Sequence, residues 1–155
     1  MSDGSSMKRK FQTAWAVHLA MMGGLLIYVL LIEIASGRFF ELPPLQPTEG
    51  ALNIRYLIYG AAILVVLVLR WVRPVFVRKT PVSEGEAAGK LLAQTLFTAS
   101  LCEIPVLLGV VLYVLLGYKP DFYFLLIVSL ILFFMYFPRL PRWQEWWHSV
   151  QGREL

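Results

Sequence analysis

The sequence predicts an all-α integral membrane protein, a four-helix transmembrane bundle with both termini cytoplasmic and a C-terminal interfacial helix. Of the 155 residues, 58% are hydrophobic and only 15% are charged, whereas soluble domains have about 45–50% apolar and about 25% charged residues. Four long apolar segments carry the surplus, and the basic residues fall mainly on one side of the topology that these segments define. The length leaves no room for a separate soluble domain.

Each of the four apolar segments is a predicted span. The first, 11–32, has 22 residues without a formal charge and covers the roughly 30 Å of hydrocarbon at about 1.5 Å per residue. The second, 51–72, contains Arg55 near its start, where a long side chain can reach the interface. The third is 91–116, and the fourth, 122–137, has only 16 residues.

These spans divide the chain into five parts. They are a basic cytoplasmic N-terminus (1–10), a first transmembrane hairpin (11–72) with a proline-rich outer loop (37–50), a cytoplasmic linker (73–90), a second transmembrane hairpin (91–137) and a tryptophan-rich cytoplasmic tail (138–155). The first apolar run is too long for the core of a secretory signal and no small-x-small cleavage site follows it, so we expect it to remain attached.

The basic residues predict the orientation. Three lie on one side of the four-span topology, namely Arg38, Arg55 and Lys119, and eleven lie on the other, namely Lys8, Arg9, Lys10, Arg70, Arg73, Arg78, Lys79, Lys90, Arg139, Arg142 and Arg153. Because lysine and arginine are retained on the cytoplasmic side, we expect a bacterial inner-membrane protein with both ends inside. The net charge of +4 then attracts the anionic leaflet, and dispersed charges of this kind do not predict nucleic-acid binding.

The tail carries an aromatic stripe. Trp143, Trp146, Trp147 and Val150 follow the i, i+3, i+4, i+7 spacing of one helix face. Since tryptophan prefers the membrane–water boundary, the three tryptophans predict an interfacial anchor. A helix that docks on protein is the alternative.

An offset of 85 residues aligns the first span with the third. Gly24 then matches Gly109, and the segment 28–31 matches 113–116 in all four residues. This predicts two hairpins related by a parallel repeat, in which the matched glycines allow close packing of spans one and three. The same offset places His18 opposite Glu103.

Glu103 is the costly residue of the sequence. An ionised carboxylate near the bilayer centre costs roughly 2.5–3.5 kcal/mol, so it needs a partner, a proton or an interior position. Pro105 deprives the carbonyl of Leu101 of its helical donor, and Ser100 and His18 are the polar residues expected nearby. Glu103, Pro105, Ser100 and His18 are therefore a candidate proton or cation site. Helix-to-helix hydrogen bonding to histidine or tyrosine, and a subunit contact, are the alternatives.

Three resemblances accompany these residues. The segment 98–113, in which small residues lead into Glu103, Pro105 and Gly109, resembles the acidic helix of the ATP synthase rotor-ring subunit c, and this resemblance implies an ion-carrying carboxylate. Over its whole length, the chain resembles a family of uncharacterised bacterial four-span membrane proteins with a similar tail, here the segments 137–139 and 143–146. It also shares the four-span plan of the ATP synthase protein I family.

The sequence favours a non-catalytic protein. It contains no hydrolase triad, phosphate loop or Cys/His cluster, and a single central acid does not make an active site. We expect no cofactor and no metal. The expected role is a subunit or assembly partner of a membrane complex, with the bilayer and either further copies of the chain or other membrane proteins as partners. The alternative is a proton- or cation-handling protein, either rotor-ring-like or a small transporter.

Overall fold

The computed structural model describes residues 3–38, 49–76 and 83–151, and these residues form five α-helices and no strand. The helices are α1 (Asp3–Arg38), α2 (Glu49–Phe76), α3 (Glu84–Leu116), α4 (Lys119–Met135) and α5 (Leu140–Gln151). The predicted all-α class is thereby confirmed. The proline-rich segment of the outer loop lies outside the described residues.

Three helices are long and apolar enough to cross a membrane, over Met7–Gly37, Gly50–Trp71 and Glu84–Leu116. The fourth predicted span differs from the other three in length, because α4 has only 17 residues. It makes a fourth candidate span only together with α5, and the two helices are bent by 51° at their junction. The described residues therefore contain three candidate spans by length and composition, or four if the bent pair is one span.

Two hydrogen bonds show how α1 lies against α3. Lys10 Nζ donates to the carbonyl of Gly85 at 2.6 Å, and the Tyr28 hydroxyl donates to Glu103 Oε1 at 2.6 Å. Both pairs are 75 residues apart in sequence. The two helices therefore run parallel and keep one register over about 27 Å of their length.

The second hairpin is tightly connected. Gly117 ends α3 in the left-handed conformation at φ 68°, and its N–H donates to the carbonyl of Tyr113 at 2.7 Å. A glycine accepts this conformation at no steric cost. The chain then returns as α4, antiparallel to α3.

The first predicted hairpin is open. Among the described residues, α1 packs mainly against α3 and α2 packs mainly against α3, while α1 and α2 hardly touch each other. The core therefore centres on α3 and α4, with α1 and α2 as flanking helices. Its principal buried residues are Leu25, Ile32, Leu69, Ala99, Cys102, Val106, Tyr113, Phe122, Leu126, Leu132 and Phe133.

The helices extend beyond the predicted spans. Helix α3 begins at Glu84 because the Ser83 hydroxyl accepts the N–H of Glu86 at 3.2 Å, and acidic residues occupy the first turn, where the helix dipole favours them. Much of the predicted linker is therefore helical. Helix α1 likewise includes part of the predicted N-terminal segment.

Candidate functional site

Glu103 is half-buried on α3 and faces α1. The hydroxyl of Tyr28, also half-buried, donates to its Oε1 at 2.6 Å. This is a hydrogen bond between two candidate spans, of the kind that neutral or charged polar groups form in membrane bundles. Tyrosine was one of the two partner types expected for this carboxylate.

His18 does not pair with Glu103, which differs from what the 85-residue offset implies. Helices α1 and α3 pack with an offset of 75, so the two residues lie about ten positions, or about 15 Å, apart along the helix axes. The repeat in the sequence is therefore not the register in which the helices contact each other.

His18 is buried against α4 instead. Its Nε2 lies 3.0 Å from the carbonyl of Phe133, and because a carbonyl can only accept, Nε2 carries the proton. The rings of Phe133 and Phe137 contact the imidazole edge-on, with centroids 5.1 and 5.2 Å away. Nδ1 has no hydrogen-bond partner among the described residues. His18 thus joins α1 to the end of α4.

Pro105 is buried inside α3 and its missing N–H leaves the carbonyl of Leu101 without its helical donor. The next N–H, of Val106, donates to the hydroxyl of Ser129 on α4 at 2.9 Å. Ser129 is fully buried. A side chain that the sequence did not single out therefore satisfies a backbone donor next to Pro105.

Ser100 takes no part in the contact between Glu103 and Tyr28. It is exposed, and its hydroxyl donates to the carbonyl of Leu96 in its own helix at 3.1 Å. Of the four predicted site residues, only Glu103 and Pro105 remain neighbours, and their contacts go to different helices.

The two matched glycines have different surroundings. A Cβ on Gly109 would lie 3.2 Å from the Cβ of Leu125 and 3.3 Å from the backbone of Phe122, so this glycine permits close approach of α3 and α4. A Cβ on Gly24 would meet nothing within 4 Å among the described residues. The predicted glycine contact between spans one and three is thus replaced by a contact between α3 and α4.

A buried ion pair at the α3–α4 turn was not predicted. Asp121 Oδ1 accepts from Arg55 Nη2 at 2.5 Å and from the Tyr59 hydroxyl at 2.7 Å. The Asp121 side chain is only 3% exposed, whereas that of Arg55 is 37% exposed. The guanidinium also lies over the rings of Tyr59 and Tyr118, at 5.9 and 5.3 Å from the centroids. This cluster joins α2 to α4.

A second polar cluster joins α1 to α4 at the same end of the bundle. Glu33 accepts hydrogen bonds from the Tyr123 hydroxyl and from Lys119 Nζ, the latter at 3.2 Å. One feature of the sequence could have indicated the contact between Arg55 and Asp121. Arg55 and Asp121 have opposite charge and lie near the same end of two predicted spans, so pairing would offset part of the cost of burying both charges.

At the other end of the bundle, α5 docks on protein. Trp143 is 5% exposed and packs with Met7, Ala14, Ala88 and Leu91 of α1 and α3. Its ring meets that of Phe11 edge-on at 5.4 Å. Trp146 and Trp147 are half-buried beside it. The aromatic stripe therefore matches the docking alternative at Trp143, while the other two rings remain partly accessible.

Among the described residues, no three His, Cys, Asp or Glu side chains gather as metal ligands. Comparison of the chain with protein-family models, with curated proteins and with solved structures gives no match.

Proposed function

We propose that the chain is a non-catalytic protein of the bacterial inner membrane, with both termini cytoplasmic, that serves as a subunit or assembly partner of a membrane complex. The observation that supports this role best is that the polar side chains form contacts between helices. Each of three polar residues contacts a group on a helix other than its own, namely Glu103, Asp121 and Ser129. Such contacts hold helices together, and they do not converge on one reaction centre.

The open arrangement of the flanking helices also favours a partner. Helix α2 packs mainly on α3 and hardly touches α1, and it presents large apolar side chains away from the bundle. They include Tyr56, Leu57, Ile63, Leu64 and Trp71, each more than half exposed. Helix α1 presents a similar row at Leu26, Ile27, Leu30 and Leu31. Lipid covers such surfaces equally well, so the test must distinguish lipid from protein.

The experiment is site-specific photo-crosslinking in intact cells. A photoreactive residue at Leu57 or Leu64 should form a discrete adduct with a membrane protein or with a second copy, and one at the buried Ala62 should not. Adducts with lipid alone at both exposed positions would contradict the proposal. Mass analysis of the protein purified in gentle detergent then separates a homo-oligomer from a hetero-complex.

The second candidate is proton or cation handling at Glu103. Its support is a half-buried carboxyl near the middle of the third span, whose hydrogen-bond partner among the described residues is Tyr28, and the nearby Pro105, which cannot donate to the carbonyl of Leu101. Carbodiimide labelling of Glu103 that sodium or high pH blocks would support this candidate. Unchanged ion flux and growth with Glu103→Gln would exclude it.

A further inference from the structure

A cavity lies where α5 meets the first turns of α1 and α3. It has a volume of about 260 Å³, and its polar lining consists of Lys8, Glu84, Gln144 and His148, with Trp147 beside them. We propose that this cavity, called here the headgroup cavity, binds the zwitterionic headgroup of an aminophospholipid such as phosphatidylethanolamine.

The charges in the lining have both signs and do not form an ion pair with each other. Lys8 and Glu84 both line the cavity, yet neither forms an ion pair with any described residue. Glu84 lies in the first turn of α3, where the helix dipole stabilises its carboxylate. A ligand with a phosphate and an ammonium group complements both side chains, whereas an anion alone would meet the carboxylate of Glu84.

The position suits a lipid headgroup. The cavity lies at the ends of the candidate spans, and Trp147 in its wall is a residue type that prefers the membrane–water boundary. Apolar side chains of Met7 and Leu140 complete the lining and offer contact to the glycerol end of a lipid. The volume equals that of roughly eight or nine waters at about 30 Å³ each, which is enough for a phosphoethanolamine group.

The primary ammonium group distinguishes phosphatidylethanolamine from phosphatidylcholine and phosphatidylglycerol. A primary ammonium can donate hydrogen bonds to Glu84 and to the amide oxygen of Gln144, while the trimethylated group of phosphatidylcholine cannot donate. Phosphatidylglycerol carries the phosphate without a cation. Specificity for phosphatidylethanolamine over both is therefore the chemical signature of the site.

The test measures lipid adducts of the full-length protein by native mass spectrometry, with the three phospholipids supplied at matched acyl chains. We expect phosphatidylethanolamine to be retained at about fivefold lower lipid concentration than the other two. Lys8→Met and Glu84→Gln should each weaken this retention about fivefold, as expected for one interfacial charge worth about 1 kcal/mol. Arg9→Met and Glu145→Gln, which change the same charges outside the cavity, should leave it unchanged.

An expected gain of phosphatidylglycerol binding distinguishes a specific effect of the substitution from a loss of folding. Glu84→Gln removes the carboxylate that opposes a bare phosphate, so it should strengthen phosphatidylglycerol binding while it weakens phosphatidylethanolamine binding. A misfolded variant would lose both lipids. Equal retention of all three lipids by the unaltered protein, stronger retention of phosphatidylglycerol than of phosphatidylethanolamine, or unchanged lipid preference in both cavity variants would overturn the proposal.

Discussion

Asp121 shows how a single residue can join two helices that otherwise pack little. Its carboxylate is buried, while its partner Arg55 keeps part of its guanidinium accessible. Removing one member of a buried ion pair leaves the other charge without compensation, and this costs more than the pair itself contributes. The energetic consequence of a substitution therefore depends on which partner remains.

Asp121→Leu should destabilise the protein by about 2–3 kcal/mol, below the range for fully buried pairs because Arg55 is 37% exposed. The double variant Arg55→Met/Asp121→Leu should recover most of that loss. The free energy of unfolding in mixed micelles measures both. As a control, Glu33→Gln removes the charge from a pair with 38% and 48% exposed side chains and should cost clearly less stability than Asp121→Leu does. A double variant as unstable as the single one would contradict this account.

The hydrogen bond between Tyr28 and Glu103 can be measured by a double-mutant cycle. Tyr28→Phe and Glu103→Leu should show a coupling free energy of about 0.6 kcal/mol, the average for such bonds between membrane helices, with about 1.7 kcal/mol as an upper bound. Tyr56→Phe removes a hydroxyl from a tyrosine that is 69% exposed on α2 and should show no coupling with Glu103→Leu. Equal coupling for both tyrosines would disprove a specific contact.

At the scale of the elements, the contact between α3 and α4 depends on Gly109. Because a Cβ there would meet the backbone of Phe122 at 3.3 Å, α4 must shift by a few tenths of an ångström to accept it. Ser129 adds a hydrogen bond to the N–H of Val106 along the same contact. The hairpin therefore combines a close approach with a satisfied backbone donor.

Relative to Gly24→Ala, Gly109→Ala should lower the free energy of unfolding by about 1–3 kcal/mol, the usual cost of overpacking, because both variants gain the helix propensity of alanine. Gly24→Ala should be neutral or stabilising by up to about 1 kcal/mol, since nothing described lies within 4 Å of its Cβ position and alanine has the higher helix propensity. The two alanine variants differ only in position, so they form a matched pair. Equal destabilisation would show that glycine flexibility, rather than the contact, matters.

The sequence predicted three of the long apolar helices because length and apolar composition are local properties. It did not predict the contacts of His18, because those depend on the packing register of α1 and α3, which side-chain shape decides. Glu103 was identified only from the energetic cost of a carboxylate in an apolar span. Its hydrogen-bond partner, Tyr28, is one of the two kinds of partner expected for it. Asp121 was missed because an acid in the first turn of a helix is also an ordinary start signal, and its burial arises only when α2 packs nearby.

At the scale of the whole molecule, the charge distribution separates the two ends of the bundle. One end carries Lys8, Arg9 and Lys10 near α5, and the other carries Glu33 and Asp121 beside their basic partners. The positive-inside rule predicts that the first end faces the cytoplasm. The opposite orientation would place eleven of the basic residues outside.

This orientation is testable with single cysteines. The chain has one cysteine, Cys102, and it is fully buried, so it contributes little background. Leu45→Cys should react with a membrane-impermeant maleimide in intact cells, and Ser83→Cys should react only after the cells are opened. The reverse pattern would invert the proposed topology.

The central position of α3 has a consequence for synthesis. Helices α1 and α2 leave the ribosome first, yet they hardly touch each other. Each packs mainly against α3, which is made later. The N-terminal half therefore has little tertiary structure to acquire until residues beyond Glu84 are in place. We therefore expect tertiary packing of this chain to begin only when α3 has been made, so that a chain stalled before Glu84 would leave α1 and α2 unpacked.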